Sequence, residues 1–312
     1  MILRVTAIKL FRGLLTLLLV VTFVFVVLRL TGDPAEQLLP DDVDPLVLEH
    51  YRSVWGLDRP MHEQYLRYLA SLARGDLGVS FRNALPASEL IALRIPKTLE
   101  LGITTFLVAV GLGVPLGIFA ALHRDAWLDR FTMSFAVLGF SLPNFFLGIV
   151  LILGFSLHAR WLPSSGHGTW QHMVMPVLTL ATSFAGAIAR FTRSSMLDVL
   201  GRDYLRTARS QGATRRRQVL LHALPNAAIP IVTIVGFSIG GMIGGAVVTE
   251  NVFAWPGVGR LLTNAVADRD LAVVQAIVML VAATMVTANL LVDIAYAWLD
   301  PRVRVGRGEG GR

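Results

Sequence analysis

The sequence predicts an all-α integral membrane protein with six transmembrane helices and both termini in the cytoplasm. Composition is the first reason. Of 312 residues, 54% are hydrophobic and 16% charged, and the mean hydropathy of +0.62 is too high for a soluble domain of this size. The second is the spacing of apolar runs, which cover roughly 10–30, 99–122, 131–157, 173–189, 228–249 and 272–298. The middle of each lacks Arg, Lys, Asp and Glu. A central charge would cost about 2.5–3.5 kcal/mol, against about 0.3–0.6 gained per Leu or Ile. The third is the distribution of arginines. Arg4, Lys9 and Arg12, the turn with Arg124 and Arg130, the loop from Arg190 to Arg217, and Arg302, Arg304, Arg307 and Arg312 fall on one side, which the positive-inside rule makes cytoplasmic.

Composition also excludes several functions. With no cysteine, disulfides and thiolate metal sites are absent. The only lysines, Lys9 and Lys97, do not follow glycine, so no phosphate-cradling G-x-x-x-x-G-K-[ST] loop exists. Any nucleotide that drives the protein is bound by another subunit.

Taken in order, residues 1–30 form a basic tail and first span. The run "GLLTLLLVVTFVFVVLRL" lacks an A-x-A-like cleavage site and is read as retained rather than as a signal peptide. Residues 31–97 form an extracytoplasmic insert with two amphipathic helices, broken at Gly56 to Pro60 and Gly75 to Gly78. His62 and Glu63 lack the second histidine of a zinc-protease pattern and read as a surface pair. The triplet Arg74, Gly75, Asp76 reads as a helix end and turn. Residues 98–299 form a five-helix core and 300–312 a cytoplasmic tail. Gly111, Gly113, Pro115 and Gly117 predict a kink in the second span, and Pro143 in "SLPNFFLG" frees a carbonyl that Asn144 can satisfy.

In the fifth span Gly236, Gly240 and Gly244 repeat every fourth residue, with Gly241 and Gly245 one step over. Such a stripe lets backbones approach closely. It fits packing within the subunit, packing against a second subunit, or a mobile pore-lining helix. Asn289 and Asp293 share one face of the last span. Asp293 fits a structural ion pair near the cytoplasmic end or a proton or ion relay.

The loop 190–228 holds the densest positive charge in "DYLRTARSQGATRRRQVLLHALPNAAIP". A helix starting near Asp203 places Arg202, Arg206 and Arg209 on one face, with Leu205 and Ala208 elsewhere. Gly212 ends it, Arg215 begins a second helix, and Pro225 with Asn226 punctuates the entry to the fifth span. Positive-inside topology and anionic lipid each explain the arginines. Nucleic-acid binding would need more basic surface and aromatics. Docking into a cytoplasmic partner explains the charge, the small residues and the rigid turn together.

The stretch resembles the E-A-A, three residues, G, nine residues, I, one residue, L-P signature of bacterial ABC importer permeases. Arg206, Thr207 and Ala208 stand at the first three positions, Gly212 at the glycine, His222 at the isoleucine, and Leu224 with Pro225 at the end. The spacing agrees, while Arg206, Thr207 and His222 depart from the signature. The segments "GDPAE", "RIPKTLELG", "LGFSLPNFFLG", "WLPSSG", "ENVFAWPGVGRLL" and "LLVDIAYAWLDPRVR" are similar, in matching order, to the B-type permeases of dipeptide, oligopeptide and nickel importers.

That resemblance implies the type I ABC importer transmembrane fold in the plasma membrane and no cofactor on this chain. ATP and magnesium would sit on one or two partner ATPase subunits, beside a second homologous permease and an extracytoplasmic solute-binding protein. Arg206, Thr207, Ala208, Arg209, Gly212, Leu224 and Pro225 would couple to the ATPase, and Phe253 and Trp255 would contact the binding protein or anchor at the membrane interface. No catalytic or metal-ligating constellation is predicted. The competing reading from another class is a self-sufficient ion-coupled secondary transporter or channel.

Overall fold

A computed structural model describes the backbone of residues 2–30 and 43–299, and side chains over 8–30 and 43–291. Its elements are α1 Ile2–Leu30, α2 Pro45–Val54, α3 Met61–Ala73, α4 Ala87–Leu122, α5 Trp127–Ser141, α6 Asn144–His158, α7 Trp170–Leu200, α8 Asp203–Ser210, α9 Arg215–Val252, α10 Val258–Ala267 and α11 Leu271–Leu299. Five helical stretches, Ile8–Leu30, α4, α7, α9 and Leu271–Leu291, are long and apolar enough to cross a membrane. The remaining predicted span, third in chain order, is a bent pair: α5 and α6 meet at 103°. The cause is local. Pro143 forces the residue before it out of the helical region, and Leu142 is extended at φ −76°, ψ 127°. The predicted third span is therefore two helices rather than one rod.

The chain divides into two compact units. The first, residues 1–98 and 256–286, holds α1 and the insert. Pro45 at the first position and Asp44, whose Oδ1 accepts from the Leu46 N–H at 2.9 Å, start α2. Helix α3 packs on α1: the Phe25 ring lies 5.3 Å from Tyr65 and 5.7 Å from Tyr68, and the Thr22 and Tyr65 hydroxyls share a 2.6 Å hydrogen bond. Burial there pushes the Tyr68 hydroxyl up to about 12. The triplet at Arg74 is a helix end, with Gly75 at φ +79°. The insert is stapled to the turn after α10: the Ser80 hydroxyl donates to Asp270, and Arg82 pairs with Asp268. Ala87, Ile91, Val258, Ala265, Val273, Val274, Ala276 and Ile277 form its core.

The second unit, residues 99–255 with 287–312, is organised on α7. Small residues let neighbours come close to it. A Cβ at Gly113 of α4 would stand 2.9 Å from the Ala185 carbonyl oxygen, and one at Gly117 2.5 Å from that of Ala189. Gly113 and Gly117 thus serve the α4 to α7 crossing, within a helix assigned continuously from Ala87 to Leu122. Gly139 of α5 meets Thr182 at 2.7 Å in the same sense. Leu101, Ala109, Val177, Leu180, Ala181, Ala185, Ile188, Met242 and Trp255 form the main core.

Candidate functional site

The basic stretch folds as helix, tight turn, helix. Asp203 opens α8, where a carboxylate suits the positive end of the helix dipole. The helix closes with two reciprocal bonds: the Ala213 N–H donates to the Ala208 carbonyl at 3.1 Å and the Gly212 N–H to that of Arg209 at 3.0 Å. This closure needs a left-handed residue, and Gly212 has φ +83°. Nothing lies within 4 Å of where its Cβ would be. Glycine is therefore required here by the backbone, not by crowding within the chain.

The turn is braced from both sides. Gln218 Nε2 donates to the Ala213 carbonyl at 2.6 Å, and Arg215 Nη2 donates to the Leu122 carbonyl at 2.8 Å, placing a cation on the last carbonyls of α4. Leu205, Ala208, Val219 and Ala223 are buried with Ala121, Met196, Ala227 and Ile231. Arg206, Thr207, Arg209 and Gly212 face outward. Arg206 approaches Asp203 at 3.3 Å, but both side chains are exposed and the pair contributes little. Ala208 faces the chain's own core, so its small size serves internal packing.

Pro225 does not stop the helix. Residues Gln218–Ala223 are π-wound, and the chain stays helical from Arg215 to Val252. Pro225 offers no N–H to the preceding turn, and the wider winding accommodates it, as such bulges commonly do. Asn226 Nδ2 donates to the His222 carbonyl at 2.7 Å, reinforcing the same turn. Leu224 is half-buried and Pro225 exposed.

The glycine stripe of α9 separates into two faces. Cβ atoms at Gly241 and Gly245 would lie 3.3 Å from Phe184 and 3.2 Å from Leu180 of α7, whereas nothing stands within 4 Å of those at Gly240 and Gly244. Packing within the subunit accounts for the first pair and leaves the second open. Gly236 is half-buried.

Phe253 and Trp255 are a correction to the expected outer contact. They are 1% and 0% exposed. The Trp255 N–H donates to the Glu250 carbonyl at 2.8 Å, the Phe253 carbonyl accepts from the Gly166 N–H at 2.9 Å, and the His167 ring stands edge-on 4.7 Å from Trp255. Neither ring is available to a docking protein or to lipid headgroups.

One pair escaped the sequence reading. Asp129, 2% exposed, receives Arg193 Nε and Nη2 at 2.6 Å each and the Asp125 N–H at 3.0 Å. This two-pronged bond ties the start of α5 to α7. Arg193 precedes Met196, which packs with the basic turn, so α7 links the two features. The signal available was an Asp just before the predicted third span, but its partner lies 64 residues away. Asp293 lies outside the described side chains.

A helical membrane core with a braced, outward-facing turn at the E-A-A position defines an importer permease, and comparison with known proteins agrees. Residues 113–305 match the binding-protein-dependent transport system inner membrane component family, and residues 2–102 match its N-terminal region. The chain belongs to this family: a multi-pass inner-membrane permease component of an ABC importer, with ATP hydrolysis on separate subunits. It is 45% identical over 290 residues to the glutathione transport system permease protein GsiC of Salmonella paratyphi A, covering 93% of this chain and 95% of that one. It is 43% identical over 299 residues to GsiC of Escherichia coli K12, covering 95% and 98%.

Among solved structures, an inward-facing MetNI methionine ABC transporter superposes with a TM-score of 0.58 at 18% identity, over 68% of this chain and 96% of that one. An amino acid ABC transporter gives 0.54 at 18% identity, over 67% and 94%. The fold is that of type I ABC importer permeases. Membership of this family closes the secondary-transporter reading.

Proposed function

We propose that this chain forms half of the translocation pathway of a peptide importer, pairs with a second homologous permease, and receives its cargo from an extracytoplasmic binding protein. Peptide cargo is supported by relatives named for glutathione, itself a tripeptide. Both termini and the basic turn lie in the cytoplasm, in accord with the arginine distribution.

The turn at Gly212 docks in a cleft of an ATPase subunit. The observation that carries this is the open space over Gly212, flanked by outward-facing Arg206, Thr207 and Arg209 on a turn braced against α4 and α7. Arg206 and Arg209 meet acidic residues of that cleft. ATP-driven closure of the two ATPases moves the paired turns together and reorients the pathway, a rigid-body switch powered by differential binding. ATP and magnesium belong to the ATPases. Phe253 and Trp255 hold the core end of α9 and take no part in binding-protein contact.

Affinity purification of the tagged chain from native membranes in mild detergent tests the assembly. A second six-span permease and one or two Walker-motif ATPases are expected to co-purify. A stable homo-oligomer recovered alone in several detergents would contradict the proposal.

A further inference from the structure

Helix α7 presents two different faces on either side of α5. On the side toward α4, Leu112, Leu116, Phe131, Phe135 and Leu178 line an apolar groove. On the other side stands a charge. Arg190 is exposed and lies well inside α7, which runs on to Leu200. Its guanidinium carbon is 5.3 Å from the centre of the Phe140 ring and 5.6 Å from that of Phe191. Among the described residues it meets no carboxylate.

The neighbouring helices fix where this charge sits. Helices α5 and α7 run antiparallel, with Asp129 against Arg193, Ala136 against Gly186 and Gly139 against Thr182. The backbone of Arg190 is therefore level with the stretch of α5 between Asp129 and Ala136, while Phe140 lies beyond it, toward the middle of the span. Side chains lean toward the N-terminus of their helix. Arg190 thus leans away from the basic end of α7, and Phe140 leans back to meet it. Helix α9 lies along another side of α7, where Gly241 approaches Phe184 and Gly245 approaches Leu180. The Arg190 face continues through Ser183, Ala187 and Ser194. It lies between α5 and α9, and its side chains are small or polar.

We propose that Arg190 binds a carboxylate of the peptide cargo as it crosses the membrane. The two phenyl rings attract the cation without neutralising it, which leaves the guanidinium fork available to a carboxylate. An arginine at membrane depth is costly, and such residues mark substrate or ion paths. The contrast between the faces decides the source of the anion. Acyl chains fit the apolar groove beside α4, whereas the small, polar face that carries Arg190 fits an aqueous path. Every unmodified peptide ends in a carboxylate, so one arginine can engage cargoes of differing sequence. The inference rests on the proposed function, which makes the cargo a peptide.

The test uses the complete transporter with its ATPases and loaded binding protein, reconstituted in phosphatidylcholine vesicles with and without phosphatidylglycerol. Uptake of labelled glutathione and ATP hydrolysis are measured together. In Arg190→Gln the cargo carried per ATP should fall roughly tenfold or more in both lipids, the effect of losing one charge-assisted bond. Arg190→Lys keeps the charge and should recover part of that loss. An unchanged ratio in Arg190→Gln would overturn the site, also where uptake and hydrolysis fall together, as a structural role would produce. A loss confined to vesicles with phosphatidylglycerol would assign the anion to lipid phosphate and overturn the occupant. A wild-type complex that takes up neither glutathione nor a mixture of di- and tripeptides would instead overturn the proposed function, and the occupant with it.

Discussion

The helix ends at Gly212 and Ala254 are closed by the same pair of backbone hydrogen bonds and put to opposite uses. At the first, Ala213 bonds back to Ala208 and Gly212 to Arg209; at the second, Trp255 bonds back to Glu250 and Ala254 to Asn251. Both need a left-handed residue, supplied by a glycine at φ +83° and an alanine at φ +49°. Around Gly212 the flanking side chains are exposed and space is open. Around Ala254 the flanking Phe253 and Trp255 are almost wholly buried. One backbone device thus presents a surface at the first end and locks a core at the second. The side chains beside the turn, not the turn itself, separate an exposed surface from a structural joint.

This contrast yields an ordered set of expectations. Trp255→Ala should be the most damaging change, since it empties the best-buried large site in the second unit and costs about 3–5 kcal/mol. Thermal denaturation in detergent would measure it, and a shift no larger than that of an exposed substitution would contradict the core assignment. Asp129→Asn should cost about 3 kcal/mol by leaving Arg193 without its counter-ion in a partly buried place. Arg193→Lys should recover only part of the bond, because it loses the two-pronged geometry.

Smaller effects follow at the glycines. Gly186→Ala should cost about 1–3 kcal/mol, because its Cβ would run into the backbone of Ala136, which cannot swing aside. Gly244→Ala, with nothing near it in the chain, should stay within about 0.5 kcal/mol. Equal effects at the two sites would mean that the close approach of α5 and α7 is wrong. A small change of opposite sign is expected for Ala254→Gly. Relief of left-handed strain, about 1–2 kcal/mol, is offset by about 0.5–1 kcal/mol of glycine entropy, leaving a gain of about 1 kcal/mol or less. A lower melting temperature would contradict that account.

The spans were legible because hydropathy is a property of each residue in its window, and the basic turn because Gly212 and the spacing to Pro225 are local. What was not legible depends on helix rotation and on partners distant in sequence. The glycines at 240 and 241 look alike in the chain, yet only one faces Phe184. Phe253 and Trp255 sit in a helix-end turn with no pattern to mark them as core. Asp129 looks like an ordinary first-turn acid until α7 brings Arg193 to it. The break between α5 and α6 could be read at Pro143, but the size of the 103° angle could not.

The central claim is that Gly212 holds an outward turn which transmits ATP-driven motion, and Gly212→Asn tests it most directly. Asparagine tolerates the left-handed backbone, so folding and membrane insertion should be little changed. Its side chain nevertheless occupies the space where the ATPase is to dock. Overpacking a docked turn costs about 1–3 kcal/mol, so binding-protein-dependent uptake should fall roughly tenfold or more while basal ATP hydrolysis persists. Uptake at the wild-type rate, in a Gly212→Asn variant inserted to the wild-type level, would contradict the claim.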